Sequence, residues 1–314
     1  MNTIRAVVVT PDAPARLAIR AVDAPTPAPS EALVRVAAFS LNRGDVRGAQ
    51  SSPAGQPIGW DLAGTVEQAA ADGLGPPAGA RVVGWLPGRA WTELAAVPTH
   101  ALAQLPDTVS FAHAATLPIA GLTALLGLER GGGLLGRNVL ITGASGGVGD
   151  FAVQLARQGG ARVVGQVRSQ DRAARVRAAG AHAVVVGADA AGAAEHGPYH
   201  VALDGVGGAV LASALALLAP DGVAVAYGTT AEPTLSFDLR AFFLRGGLSL
   251  YGFIIFHELR RQPAAGGLAR LAALVAAGQL QPYIAVEATW NEVGAVAQRL
   301  LDRDFAGKAV LYVD

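Results

Sequence analysis

The sequence predicts an α/β chain of two parts, an irregular β-rich domain and a doubly wound parallel sheet. Three observations predict it. Short β-type runs broken by Pro and Gly fill the chain from Met1 to about Leu117, and strand-then-helix alternation begins at about Gly136. A glycine-rich turn then joins the first strand of that second part to its first helix.

The β-type runs of the first part are Ala6–Val9, Leu33–Ala37, Asp61–Val66, Arg81–Trp85 and Thr92–Val97, with turn-forming stretches at Pro25–Pro29 and Gly73–Gly79 between them. In the second part the strands read as continuous apolar runs: Asn138–Thr142, Arg162–Val167, Ala183–Val186, Val201–Leu203, Val223–Tyr227 and Leu248–Ile255. A strand that is apolar on both faces needs cover on both, which a parallel sheet flanked by helices supplies. Six such strands fit a doubly wound sheet. Ala309–Val313 is a last short strand, able to return to the first domain. The expected limits are 1–117 for the first part of the β-rich domain, 118–256 for the parallel-sheet domain and 257–314 for the return.

Composition narrows the function classes. The 314 residues carry 24 basic and 24 acidic side chains, 52% are apolar, and none is cysteine. Disulfide scaffolds, cysteine nucleophiles, iron–sulfur clusters and thiolate zinc sites are thereby excluded. Balanced charge argues against a nucleic-acid grip or an anionic membrane surface, both of which need a basic excess. The apolar stretch Val210–Ala219 is too short to span a bilayer and runs into a Pro-Asp-Gly turn. Ala6–Val9 falls short of a signal-peptide core. A cytoplasmic protein with a small-molecule substrate is expected.

The stretch Asn138-Val-Leu-Ile-Thr-Gly143-Ala-Ser145-Gly146-Gly147-Val148-Gly149 carries the chemistry. A buried strand enters the turn, Val148, Phe151, Ala152 and Leu155 follow at helical spacing, and Gly159-Gly160 stops the helix. Glycines allow backbone angles closed to other residues and let a pyrophosphate approach the helix N-terminus, whose unpaired N–H groups favour an anion. A tight turn with no ligand is the plainer alternative; the strand before and the helix after favour dinucleotide binding. No Lys-Ser or Lys-Thr follows the glycines, so a nucleoside-triphosphate loop is excluded.

The end of the second strand discriminates between dinucleotides, since an NAD site needs a carboxylate there for the ribose hydroxyls. Phe151 to Gln170 contains no acid, and the strand leads into Arg168-Ser169-Gln-Asp-Arg172. Two guanidinium groups and a hydroxyl suit a 2′-phosphate, so NADPH is expected. The alternative is that Arg168 and Arg172 only solvate the next helix.

With these motifs in place, the chain resembles the zinc-independent quinone oxidoreductase (zeta-crystallin-like) branch of the medium-chain dehydrogenase/reductases. The resemblance rests on Ser40-Leu-Asn42-Arg-Gly-Asp45, Gly59-Trp60-Asp61-Leu-Ala-Gly64, Leu117-Pro-Ile-Ala-Gly121-Leu-Thr123, the glycine turn, Leu203-Asp204-Gly205-Val206-Gly207-Gly208, Tyr227-Gly228-Thr229-Thr and Gly307-Lys308-Ala-Val-Leu. It implies a GroES-like catalytic domain, a Rossmann domain and a nicotinamide in the cleft between them. By the same resemblance Asn42 lies where zinc-dependent relatives have a cysteine ligand. Gly121 and Thr123 border the nicotinamide, and Asp204, Gly205, Val206, Gly228, Thr229 and Phe253 line the cofactor from the far strands. Lys308 is a further cofactor neighbour or, equally, a structural salt bridge.

The departures from the family are specific. There is no four-cysteine lobe and no cysteine-plus-histidine site, so no metal is expected. Gln50 stands near the place where reductases of this branch often have a tyrosine, which leaves the proton donor unassigned. Trp60 either walls the substrate pocket or packs as a buried aromatic. The turn also fits the short-chain dehydrogenase pattern, but none of Tyr199, Tyr227, Tyr251, Tyr283 or Tyr312 has a lysine four residues on.

Without a metal to polarise a carbonyl, conjugated acceptors are the expected substrates: a quinone or an α,β-unsaturated carbonyl taking hydride from NADPH. Asn42 would steady the developing charge, Asp45 would orient a water, bridge to the nicotinamide ribose or cap a turn, and water would supply the proton. The alternative is a family member that binds NADPH for a non-redox or regulatory role. The apolar final strand leaves an open sheet edge, which implies a homodimer.

Overall fold

The computed structural model describes residues Thr3–Asp314. They fall into two compact units, one made of the chain up to Leu122 together with Leu259–Asp314, the other of Thr123–Glu258.

The first unit holds β1 (Thr3–Val9), β2 (Leu17–Asp23), β3 (Glu31–Leu41), β4 (Asp61–Gln68), β5 (Arg81–Trp85), β6 (Leu94–Pro98) and β7 (Leu102–Gln104). With β14 (Ile284–Thr289) and β15 (Lys308–Tyr312), its main sheet runs in the order β14-β15-β3-β4-β5-β7, with β6 also on β3, while β1 and β2 form a two-stranded sheet. The strands of the second unit are β8 (Asn138–Ile141), β9 (Arg162–Val167), β10 (Ala183–Val186), β11 (Tyr199–Asp204), β12 (Leu218–Ala226) and β13 (Ser249–Gly252). They form one sheet in the order β10-β9-β8-β11-β12-β13, in which every pairing is parallel. The chain returns to the first unit for β14 (Ile284–Thr289) and β15 (Lys308–Tyr312).

Four helices matter for the site: α1 (Arg43–Ser51), α2 (Phe111–Ala115), α3 (Leu122–Arg130) and α4 (Gly147–Gln158). A wide π turn, Leu117–Gly121, joins α2 to α3. Among the described residues no helix is long and apolar enough to cross a membrane.

Packing fixes these elements. In the first unit Phe39 and Trp91, both fully buried, stack with ring centroids 5.1 Å apart. Gly59 at φ +102° leaves room for that tryptophan, since a Cβ there would lie 2.2 Å from its ring. In the second unit Val139, Leu140, Ile141, Val163, Val164, Val201, Ala202 and Leu203 are all fully buried, which is why their strands read as unbroken apolar runs.

The strand limits differ from expectation in places. β3 runs from Glu31 to Leu41, well beyond the apolar core 33–37, because it pairs with β15, β4 and β6 along its length. β2, β7 and β14 were not expected; they are short or half exposed and carry weak apolar patterns. The run 248–255 is strand only over Ser249–Gly252, and Ile255 opens a helix, so apolar character there reflects two elements. The turn expected at Pro220-Asp221-Gly222 is an irregularity inside β12, with Asp221 at φ +59°.

Candidate functional site

In the first unit the site grows from the junction of β3 and α1. Asn42 is the N-cap of α1, and its backbone N–H donates to Asp45 Oδ2 at 3.1 Å, half of a capping box. β15 lies antiparallel to β3 with Ala309 opposite Leu41, which sets Lys308 beside Asn42. Lys308 Nζ donates to Asn42 Oδ1 at 2.6 Å, to the Leu41 carbonyl at 3.0 Å and to Asp61 Oδ2 at 3.3 Å. Asp61, at the start of β4, also accepts from Ser40 Oγ at 2.6 Å, from Asn42 Nδ2 at 2.8 Å and from the Ile119 N–H of the π turn at 3.0 Å. One carboxylate therefore ties together β3, α1, β15 and the π turn.

Asp61, Lys308 and Asp45 are all buried. Burial pushes the Asp45 carboxyl well above the ordinary carboxylate range, and the nearby charge of Asp61 adds to the effect. Its Oδ1 is buried without a hydrogen-bond partner. Burial lowers the proton affinity of Lys308, while Asp61 and Asp45 oppose that loss. Trp60 is half-buried and lies over Gly44 in the first turn of α1, where a Cβ would meet the indole at 2.5 Å. Gln50 donates to the Ala15 and Val46 carbonyls, so its amide is engaged in packing α1.

In the second unit the residues expected from the sequence to bind the cofactor lie mostly at the carboxyl ends of the parallel strands. The sheet order reverses between β8 and β11, the place where such sheets hold ligands. Gly143 has φ +57° and approaches Val206, whose Cγ2 would lie 3.1 Å from a Cβ on it. A Cβ on Gly149 would lie 2.5 Å from the Gly143 carbonyl oxygen, so the glycine turn closes only without that side chain. The first-turn N–H groups of α4, at Gly147, Val148 and Gly149, have no helical carbonyl ahead of them. This donor set fits the pyrophosphate of a dinucleotide. Ser145 is buried in the same turn, which Gln166 braces: its Oε1 accepts from Gly143 N–H at 3.2 Å and its Nε2 donates to the Gly187 carbonyl at 2.9 Å.

Asp204, expected to line the cofactor, stands at the end of β11. It is fully buried, and it accepts from the Thr142 hydroxyl and from the Val206 and Gly207 N–H groups at 3.2 and 2.8 Å. Its oxygens shape the turn at the end of β11. Burial raises its proton affinity, against the pull of those three bonds. Gly205 and Gly228 do come together: a Cβ on Gly228 would lie 2.9 Å from the Gly205 carbonyl oxygen, and Thr230 N–H donates to that oxygen at 3.2 Å. Thr229 is exposed beside them, and Phe253, buried, follows β13 with its N–H on the Ala226 carbonyl at 2.8 Å.

At the end of β9 Arg168 is exposed and Ser169 and Arg172 are half-buried. Asp171 stands among them. Its carboxylate lies 3.5 Å from Arg172 Nε, and a hydrogen bond from Ser169 holds it below the ordinary carboxylate range. Gly121 and Thr123, both buried, flank the boundary between the units.

Sequence reasoning missed Asp61, Thr142, Gln166, Asp171 and Tyr227. A lone acid opening an apolar strand was the available signal for Asp61, and a lone glutamine in an apolar strand for Gln166. Tyr227 lies over Gly205, and burial pushes its hydroxyl far up.

Two family models match, Alcohol dehydrogenase GroES-like domain over residues 28–107 and Zinc-binding dehydrogenase over residues 147–272. The chain belongs to the medium-chain dehydrogenase/reductase family. Its β-rich unit is the GroES-like domain of that family and its parallel sheet the Rossmann-like one. This medium-chain dehydrogenase/reductase is 31% identical over 224 residues to acryloyl-coenzyme A reductase of Metallosphaera sedula, 70% of this chain. The chain spans 64% of that protein's length, and 10% of the spectinabilin polyketide synthase system protein NorB of Streptomyces orinoci, to which it is 36% identical over 210 residues. Among solved structures, a mycobacterial quinone oxidoreductase superposes with a TM-score of 0.86 at 26% identity, covering 98% of this chain and 99% of the other. A mycobacterial structure complexed with NADPH gives the same TM-score at 25% identity.

The name of the second family model raises zinc. Among the described residues no three His, Asp or Glu side chains converge to hold a metal ion, and the group around Asn42 contains the ammonium of Lys308. These residues do not fit a zinc site.

Proposed function

We propose that this protein is an NADPH-dependent reductase of quinones or α,β-unsaturated carbonyls that works without a metal. The observation that carries this reading is the Asn42 amide, pinned at Oδ1 by Lys308 and at Nδ2 by Asp61. It is a neutral, oriented hydrogen-bond donor, and by the family resemblance it stands where zinc-dependent relatives have a cysteine ligand. The likenesses to an acryloyl-coenzyme A reductase and a quinone oxidoreductase support the same substrate classes.

In this reading the glycine turn and the first turn of α4 hold the pyrophosphate, and Arg168 with Arg172 takes the 2′-phosphate. Gly205, Val206, Gly228, Thr229 and Phe253 line the cofactor site. When bound, the reduced nicotinamide supplies hydride to the β-carbon of the acceptor. The alkene pair would then form the bond between the α-carbon and the carbonyl carbon as the carbonyl π pair moves onto oxygen, where one Nδ2–H of Asn42 would stabilise the enolate charge. A proton from water at the α-carbon completes the reduction. Trp60, seated on Gly44, forms a flat wall beside Asn42 for a planar acceptor.

The test is NADPH oxidation followed at 340 nm with a panel of quinones, enones and enoyl thioesters. Turnover with at least one member, reduced tenfold or more in Asn42→Ala, supports the reading. Binding of NADPH that raises the melting temperature with no acceptor consumed favours instead a non-redox or regulatory member of the family.

The protein is also proposed to be a homodimer. Among the described residues β13 pairs only with β12, and Leu239, Phe243, Leu244, Leu250 and Ile254 are exposed on β13 or near it in the chain. Sedimentation of Leu250→Lys as a monomer beside a dimeric parent would support this.

A further inference from the structure

Of the 24 Lys and Arg side chains in the sequence, Lys308 is the single lysine. It is 3% exposed. Arginine stands at the other 23 of these positions. An ammonium presents three donors from one atom in a tetrahedral arrangement, whereas a guanidinium spreads five over a plane. Lys308 Nζ has three acceptors, Asn42 Oδ1, the Leu41 carbonyl and Asp61 Oδ2, and a neutral amine has only two protons to give.

We propose that Lys308 is the positioning residue of the site, fixing the Asn42 amide so that one N–H of Nδ2 is kept for the acceptor molecule. This rests on the reductase reading above. An asparagine amide rotated by half a turn fills the same volume, so shape does not choose between its two orientations. Charge does. As placed, Oδ1 faces the ammonium and Nδ2 faces Asp61 at 2.8 Å. Reversed, an NH₂ group would face the ammonium and a carbonyl oxygen would face the carboxylate, two repulsive pairs. The ammonium also draws electron density toward Oδ1, which makes the remaining Nδ2–H a stronger donor. The groups facing Lys308 are Asp61 from β4 and Asp45 from α1; burial lowers its proton affinity, and the two carboxyls oppose that loss.

A single lysine makes the test direct. With lysine and asparagine labelled by ¹⁵N, the protein gives one Nζ signal and four side-chain amide pairs, one for each asparagine. The Asn42 pair is identified by its loss in Asn42→Ala. In Lys308→Met the Asn42 amide signals are expected to shift and exchange with solvent at least tenfold faster. In the same variant kcat falls about 10²-fold with KM changed less than threefold, and Lys308→Arg does not restore it. In the wild type, raising pH through the Nζ midpoint should move the Asn42 signals and lower kcat at that same midpoint, which requires no variant to fold. Asn42 signals indifferent to Lys308→Met and to the Nζ titration would overturn the proposal, as would a lowered melting temperature with kcat intact. A wild type that reduces no acceptor defeats the reductase reading alone, since the amide signals still decide the role of Lys308.

Discussion

The Nζ of Lys308 stands 2.6 Å from Oδ1 of Asn42 across 266 residues of sequence. The return strand makes the meeting: with Ala309 opposite Leu41, the residue before one falls beside the residue after the other. Asp61 and Asp45 share the same buried volume, so two carboxyl groups face one ammonium. Burial first, and then the neighbouring charge of Asp61, raise the proton affinity of Asp45.

Asp45→Asn should therefore flatten the pH dependence of stability. A carboxyl whose affinity for protons is raised by folding contributes stability that is complete below its ordinary value, 3.8, and is lost as pH rises through its folded value. The wild type is expected to lose melting temperature relative to Asp45→Asn as pH is raised from about 4 upward. Thermal melts at closely spaced pH values check this, and parallel curves would refute it.

Asp204→Ala should damage the fold before it touches chemistry. The substitution leaves the Thr142 hydroxyl and the Val206 and Gly207 N–H groups without their acceptor. A loss of roughly 3 kcal/mol is expected, read by urea unfolding. Unchanged stability with weakened cofactor binding would instead restore Asp204 as a direct ligand.

Arg168→Ala should weaken NADPH by about tenfold or more and leave NADH nearly unchanged, since a charge-assisted bond to phosphate contributes about 1.5 kcal/mol or more. Asp171→Ser should act the other way. It removes the carboxylate beside Arg172 and Ser169, so NADPH binds more tightly. Fluorescence titrations with both coenzymes separate the two effects; equal losses for NADPH and NADH in Arg168→Ala would remove its phosphate role.

Gly44→Ala should move Trp60, because the new methyl would lie 2.5 Å from the indole as it stands. Gly44 lies on the exposed first turn of α1, so stability is expected to fall by only about 1 kcal/mol. The expected signature is a KM that changes several-fold for bulky planar acceptors and little for small ones. A uniform change across acceptors would argue that Trp60 only packs.

The glycine turn, the parallel sheet and the change of texture near Gly136 were legible in the sequence because each rests on local chemistry. A Cβ excluded at Gly149, a buried strand such as Leu140-Ile141 and a helix-stopping Gly159-Gly160 are conditions a short stretch satisfies by itself. Lys308 was legible as a residue of interest, but its partner was not, since no periodicity links it to Asn42. Asp61 was passed over for the same reason: its four donors arrive from β3, α1, β15 and the π turn. The bonds of Asp204 to the Thr142 hydroxyl and to the Gly207 N–H were not legible either, because the first joins two strands 62 residues apart. The sequence by itself determined the dinucleotide-type turn, the family and the absence of thiolate chemistry. Only the tertiary structure decided which carboxyls are buried together and which way an amide points, because long-range electrostatics depends on distances that strand register alone creates.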